Sequence, residues 1–281
     1  MRLGQALTDA IHRLTSARVG SPRMNAEVLL MFVLGVERAY LYAHPEYELT
    51  AEENARYHQV LSERARGVPS QYITGHQEFW GLDFIVSPAV LIPRPETEHV
   101  LETVLPLARR VEKPKIVDVG TGSGCIAVVL ATELPDAEIH ATDISPQALE
   151  IARANAARHQ LENRIHFLEA NLLEGLEVGG FDFVVSNPPY VGESEEDQVQ
   201  LEVRKFEPRN AVFAGHSGLE VVERLVPQAW AALKPGGWLV FEISGTIVAG
   251  VKGLLSGWTR LRVINDLQGI PRVVAAQKGA V

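Results

Sequence analysis

Lys115-Ile116-Val117-Asp118-Val119-Gly120-Thr121-Gly122-Ser123-Gly124-Cys125 is the stretch on which the fold turns. Its first half is apolar and β-branched, the mark of a buried strand. Three alternating glycines follow, and the residues from Cys125 to about 133 read as a helix. A glycine loop between a strand and a helix lets a ligand approach the backbone close to the helix N-terminus. The spacing narrows the choice of ligand. The dinucleotide fingerprint G-x-G-x-x-G fails, because its third glycine position falls on Cys125. The nucleotide P-loop fails as well, since no Gly-Lys-Ser/Thr follows. What remains is D-x-G-x-G-x-G.

That loop is similar to the one in S-adenosylmethionine-dependent methyltransferases built on a Rossmann-like sheet. Downstream, Glu138-Ile139-His140-Ala141-Thr142 reads as the next strand, ended by Asp143. An acidic residue about 20 positions past the glycine loop is placed to accept from ribose hydroxyls. The competing reading has Asp143 capping the helix that opens at Ser145-Pro146, although Ser145 can cap it alone. Asp118 lies close enough to the loop to meet a ligand's ammonium end, directly or through water. A third strand over 164–168 ends at Ala170-Asn171-Leu172-Leu173. There Asn171 is placed for an adenine edge and Leu172 for its face, or both simply pack a loop.

The fourth strand, Phe181-Asp182-Phe183-Val184-Val185, runs into Ser186-Asn187-Pro188-Pro189-Tyr190. Two prolines cannot donate to a sheet, and each restricts the residue before it, so the chain leaves in a stiff extended turn. An amide oxygen and a prolyl carbonyl there are acceptors suited to a planar NH2 group. Alternation then resumes: helix 218–233, strand 238–243, helix 245–256, and two strands, 260–264 and 272–276, that pair as an antiparallel hairpin. The pattern predicts an α/β fold: a Rossmann-like class I methyltransferase sheet with a C-terminal antiparallel hairpin, preceded by a small helical bundle.

The first third carries that bundle. Leu3, Ala6, Leu7, Ile11 and Leu14 recur at helical spacing, and Ser21-Pro22 opens a second helix. Thr50-Ala51-Glu52-Glu53 is a capping box for a long helix, with Tyr57, Val60 and Leu61 inward and Arg56, Glu63, Arg64 and Arg66 outward. The expected division is a helical substrate-recognition domain over 1–70, a hairpin and linker over 71–95, and a methyltransferase domain over 96–281. In the linker, Arg94 stands between two prolines and loses little backbone entropy on binding, which makes it a candidate substrate contact.

Composition bounds the function. Apolar residues make up 46% of the 281, enough for a sizeable core, and the net charge of −9 argues against broad capture of nucleic acid. A single cysteine, Cys125, excludes an intramolecular disulfide and a multi-cysteine metal site. The nine histidines show no ligand spacing along the chain, so no metal is expected. Gly215-His216-Ser217-Gly218 lacks the glycine at 219 that a hydrolase elbow requires. No apolar run is long enough for a membrane span, and a monomer in the reducing cytoplasm is expected.

The chain resembles the bacterial release-factor glutamine methyltransferases, which N5-methylate a glutamine side chain. The residues that carry the likeness are Gln71-Tyr72-Ile73-Thr74-Gly75, Glu78-Phe79-Trp80-Gly81, Leu91-Ile92-Pro93-Arg94-Pro95-Glu96-Thr97-Glu98, Asp118 to Cys125, the Asn-Pro-Pro-Tyr turn and Phe206-Glu207-Pro208. The resemblance implies methyl transfer to the glutamine of the Gly-Gly-Gln motif in class 1 peptide-chain release factors, with no direct nucleic-acid or membrane partner. It implies that Gly120, Thr121, Gly122, Ser123, Gly124 and Asp143 bind S-adenosylmethionine, with Asp118, Asn171, Leu172 and Asn187 beside it. It also implies that Asn187, Pro188, Pro189 and Tyr190 hold the acceptor amide, with Asn187, Pro188 and Tyr190 doing the catalytic work. The family usually has aspartate where Asn171 stands, and a glycine-rich stretch with a glutamine where this chain has Ser244-Gly245-Thr246. Two rivals remain: an amino-methyltransferase of adenine or guanine, which shares the Asn-Pro-Pro-Tyr turn, and a non-catalytic cofactor-binding module.

Overall fold

The computed structural model describes residues 1–280 and divides into two compact units. The first comprises Met1–His76 together with Leu201–Phe206. It holds α1 (Leu3–Ser16), α2 (Pro22–Leu34), α3 (Arg38–Ala43), α4 (Ala51–Ala65), α5 (Ser70–Thr74) and the short helix Leu201–Phe206. Leu3, Leu14, Leu29, Leu30, Tyr57 and Leu61 are its fully buried large side chains. Each contributes about 2 kcal/mol of transfer free energy. The capping box forms as predicted: the Thr50 hydroxyl accepts from Glu53 N, and Glu53 Oε2 accepts from Thr50 N at 2.8 Å.

Arg64 departs from the expected outward face. It is 4% exposed and donates to Asn25 Oδ1 at 2.7 Å, the Val68 carbonyl at 3.0 Å and Glu202 Oε1 at 2.5 Å. A buried guanidinium is tolerated because three acceptors replace its water. Helical periodicity does not reveal those acceptors, since one of them lies 138 residues away.

The second unit comprises Gln77–Gln200 and the chain from Glu207 onward. Near its start lies a hairpin, β1 (His76–Phe79, all but its first residue in this unit) and β2 (Leu82–Ile85), joined by Trp80 and Gly81. Both turn residues have positive φ, 55° and 71°, which matches the twist of a two-residue hairpin loop. After a 3₁₀ turn at Pro95–Thr97 comes α6 (Glu98–Ala108). Then follow β3 (Lys115–Val119), α7 (Cys125–Glu133), β4 (Glu138–Asp143), α8 (Pro146–Arg158), β5 (Ile165–Glu169) and β6 (Phe181–Ser186). The strand pair β7 (Val191–Gly192) and β8 (Phe213–Gly215) precedes helix Glu220–Ala232, β9 (Leu233–Glu242), helix Val248–Leu254, β10 (Thr259–Asn265) and β11 (Pro271–Gln277).

Seven strands form one sheet in the order β10-β11-β9-β6-β3-β4-β5. The five from β5 to β9 are parallel, and β11 is antiparallel to both β9 and β10. This is the class I methyltransferase sheet with its C-terminal antiparallel hairpin. Both faces are covered, so the central strands are mostly apolar, Asp118 in β3 and Asp182 in β6 apart: Ile116, Val117 and Val119 in β3 and Phe183, Val184 and Val185 in β6 are all buried. From β3 the chain winds outward through β4 to β5, then returns to lay β6 on the other side of β3. The crevice at the carboxyl ends of β3 and β6 is therefore the topological switch point, where open α/β sheets bind ligands.

Candidate active site

Register brings the two sequence signals together. Val119, the last residue of β3, pairs with Ser186, the last of β6, and the Ser186 hydroxyl donates to the Val119 carbonyl at 2.7 Å. The glycine loop and the Asn-Pro-Pro-Tyr turn thus leave adjacent strands at one level. A cavity of about 640 Å³ opens there, within the range of small-molecule sites. Gly120, Thr121, Gly122, Ser123, Asp143, Asn171, Leu172, Asn187 and Pro189 line it.

The loop is shaped by left-handed glycines. Gly122 has φ of 57°, and a Cβ there would meet no atom within 4 Å, so the space faces the cavity. Gly124 is different: a Cβ would lie 3.0 Å from that of Ala152, so this glycine lets α7 and α8 pack and does not line the cavity. Asp143 holds the loop open. Its Oδ2 accepts from Gly122 N and its Oδ1 from Ser145 N, each at 2.9 Å. Ser145 caps α8 by itself, accepting from Ala148 N at 3.2 Å. Burial raises the Asp143 pKa, against the pull of the Ser145, Gly122 and Ile144 N–H groups. Each carboxylate oxygen retains a lone pair, a pattern that suits a diol.

Asp118 does not reach the cavity. It is fully buried; its Oδ2 accepts from the Thr121 hydroxyl at 2.6 Å, and its Oδ1 makes no hydrogen bond of normal geometry. Burial pushes its pKa up to about 7, against the Thr121 hydroxyl and the Ala127 N–H. Direct contact with a ligand's ammonium is not offered by this side chain; Thr121, to which it is bonded, lines the cavity instead. Asn171 lines the cavity with its amide engaged, donating to Glu174 at 3.2 Å and accepting from Arg224 at 3.3 Å. Leu172 sits at φ 58°, an unfavourable region for leucine, with its carbonyl held by the Thr142 hydroxyl at 2.8 Å.

At the acceptor turn, Asn187 and Pro189 line the cavity, whereas Pro188 is buried and Tyr190 turns away. Asn187 Nδ2 donates to Thr97 Oγ1 at 3.0 Å, and among the described residues nothing donates to its Oδ1. Thr97 donates to Glu242 Oε2 at 2.6 Å, and the Tyr190 hydroxyl donates to Glu242 Oε1 at 2.9 Å. Burial raises the pKa of both Glu242 and Tyr190. Arg94 is not at the cavity either. Its guanidinium meets Glu207 Oε1 at 2.5 Å, and Glu207 Oε2 accepts from Ile92 N at 3.3 Å. That contact ties the linker to Glu207 while the Arg94 side chain stays partly exposed.

The PrmC N-terminal domain family matches residues 5–75, and the methyltransferase small domain family matches residues 97–205. The release factor glutamine methyltransferase of Koribacter versatilis (strain Ellin345) is 54% identical over 279 residues, covering 99% of each chain. That of Deinococcus radiodurans is 41% identical over 282 residues, again across 99% of both. The chain belongs to the release factor glutamine methyltransferase family. It is an S-adenosylmethionine-dependent methyltransferase. Among solved structures, a methyltransferase from Pyrococcus furiosus superposes with a TM-score of 0.55 at 20% identity, over 78% of this chain and 99% of that one. The T. thermophilus 16S rRNA N2 G1207 methyltransferase, in complex with AdoMet and guanosine, gives 0.54 at 18%, over 72% of this chain and 49% of its own. At such identity these two speak for the fold alone.

In this glutamine methyltransferase the residues that sequence reasoning left without a role are Thr97, Glu207 and Glu242. Thr97 and Glu207 stand in Pro93-Arg94-Pro95-Glu96-Thr97 and Phe206-Glu207-Pro208, where neither residue type signals a role by itself. Glu242 had a legible signal: it is the one charge in Trp238-Leu239-Val240-Phe241-Glu242-Ile243, an otherwise apolar strand. Asn155 was also missed. It is fully buried on α8, where it bonds both backbone groups of Ile85 and the Ser123 carbonyl.

The histidines need one correction. His140 and His166 are register partners on β4 and β5, so pairing gathers them with Glu138, although no spacing along the chain suggests it. Lys115 Nζ already stands 3.2 Å from the same Glu138 oxygen that meets His140.

Proposed function

We propose that this chain transfers the methyl group of S-adenosylmethionine to the side-chain amide nitrogen (N5) of the glutamine in the Gly-Gly-Gln motif of peptide-chain release factors. The observation that carries the reading is one cavity lined both by the glycine loop after β3 and by Asn187 and Pro189 after β6. Two relatives that match end to end are named for this activity, which favours a glutamine over a nucleobase.

The residues present fit the cofactor. Open space over Gly122 admits a ligand against the backbone, Asp143 keeps acceptor capacity for ribose hydroxyls, and Ile144 and Leu172 supply apolar surface for a flat ring. Thr121 and Ser123 offer hydroxyls for the amino-acid end. When bound, S-adenosylmethionine supplies an electrophilic methyl group. An amide nitrogen is a poor nucleophile because its lone pair is delocalised into the carbonyl. Asn187 Oδ1 and the Pro188 carbonyl accept its two hydrogens, holding the nitrogen in line and stabilising the positive charge that develops on it. The proton leaves after transfer. Gly124, Asp118 and Tyr190 act from behind: the first by helix packing, the second by fixing Thr121, the third through Glu242. The helical unit selects the protein substrate, and the enzyme works as a monomer in the cytoplasm. Among the described residues no helix is long and apolar enough to cross a membrane.

Methyl transfer from labelled cofactor to release factor, RNA and DNA, measured side by side, tests the substrate. Labelling of nucleic acid alone sinks the proposal. Asn187→Ala tests the site: kcat should fall by about 100-fold or more while affinity for S-adenosylhomocysteine changes little. Equal losses in both would contradict it.

A further inference from the structure

Glu242 closes β9, whose neighbouring residues Leu239, Val240 and Phe241 form part of the apolar core. Its carboxylate is 1% exposed and meets two hydroxyls, those of Thr97 and Tyr190. Burying a carboxylate is costly, and two donors only partly offset it. The position therefore calls for a reason beyond packing.

The chain of hydrogen bonds has a direction. Both Glu242 oxygens accept, Oε2 from Thr97 and Oε1 from Tyr190, and a hydroxyl has a single proton to give. Thr97 gives its proton to Glu242 at 2.6 Å. Its oxygen then has only lone pairs left for Asn187, 3.0 Å away, so the amide must turn its NH2 group inward. Oδ1 is left for the cavity. The oxygen and nitrogen ends of an amide are nearly equal in size, so packing alone does not choose between them. The choice matters. With NH2 outward, Asn187 would offer hydrogens to a group that itself carries two.

We propose that Thr97 and Glu242 are positioning residues for methyl transfer: the buried carboxylate, acting through one hydroxyl, sets which end of the Asn187 amide meets the acceptor. The inference rests on the role given above to Asn187. The backbone supports it, because Thr97 ends the 3₁₀ turn that Pro95 begins, and its N–H is held by the Arg94 carbonyl at 3.0 Å. Arg94 is anchored in turn by Glu207. The stiff prolyl stretch thus serves to place one hydroxyl.

The test uses Thr97→Val, Thr97→Ser and Glu242→Gln in the full chain, with intact release factor as substrate. Valine keeps the shape and removes the hydroxyl. Glutamine offers one acceptor oxygen where two hydroxyls need one each. Thr97→Val and Glu242→Gln should each lower kcat by about 10- to 100-fold, with S-adenosylhomocysteine affinity by calorimetry within about twofold of the parent. Thr97→Ser, which keeps the hydroxyl, should stay within about threefold in kcat. If Glu242→Gln fails to fold, the valine and serine pair decides. Parent-like turnover of Thr97→Val overturns the proposal, as does a kcat loss matched in cofactor affinity or shared equally by Thr97→Ser. Asn187→Ala in the same assay separates the two readings. Full turnover there sinks the acceptor turn itself, whereas a dead Asn187→Ala beside a parent-like Thr97→Val sinks only the positioning role.

Discussion

Asp118 carries a stability signature that its position makes testable. Burial raises its pKa from 3.8 to about 7, so in that window the folded state binds a proton that the unfolded state has released. Its contribution is fully present below about pH 4 and is lost as pH rises through about 7. Three pKa units correspond to roughly 4 kcal/mol. Asp118→Asn cannot titrate and keeps an acceptor for Thr121. The unfolding free energy of the parent, less that of the variant, should therefore fall by an amount of that order between pH 4 and pH 8 in urea titrations. A difference that stays flat, or rises, would show the carboxyl to be ionised in the folded state throughout. At this scale the sequence was legible for backbone-shaping residues and less so for side-chain partners. Gly122 and Asp143 stand where a ligand pattern predicts them. Arg94 was read without its partner, because Glu207 lies 113 residues on, and a sequence shows charges without their pairings.

Elements were legible wherever period and punctuation agree. Helix α7 runs from Cys125 to Glu133 as the glycine loop demands, and the β10–β11 hairpin follows from two β-rich runs around Asp266-Leu267-Gln268-Gly269. Boundaries blurred at Pro235-Gly236-Gly237: the segment looks like a loop and lies within β9, but β6 pairs with Leu233 and next with Trp238, so 234–237 bulge from the ladder with Gly236 at φ 81°. Asn155 shows what pattern reading cannot see. Among the alanines of α8 it looks like a weak helix former, but it joins β2 to the glycine loop through three buried or part-buried bonds of 2.7 to 2.9 Å. Asn155→Ala should destabilise the fold by about 3 kcal/mol, since buried groups left unpaired cost about 1–3 kcal/mol each. Asn155→Asp should be no better, because it loses both donors. A midpoint in urea shifted by less than a tenth for either variant would mean that water replaces the amide.

At the scale of the molecule, the helical unit is assembled from two distant segments, Met1–His76 and Leu201–Phe206. Six residues carry no readable period, so sequence reasoning drew the helical part as one continuous stretch. Arg64 and Glu202 form an ion pair that joins the segments inside the unit. Every residue lining the cavity belongs to the second unit, so the proposed split between cofactor binding there and substrate selection by the helical unit can be measured. A chain lacking residues 1–76, with 201–206 replaced by a glycine-serine segment of equal length to keep the loop closed, should bind S-adenosylhomocysteine within about twofold of the parent. On intact release factor its kcat/KM should fall by about 100-fold, because contacts remote from the reacting atoms supply the energy that orients the glutamine. On a short glutamine peptide the deletion should cost less than about tenfold, since such a peptide lacks those remote contacts in either enzyme. Turnover of intact release factor at the parental rate would make the helical unit a structural appendage, and the selection of substrate would then have to lie in the loops around the cavity.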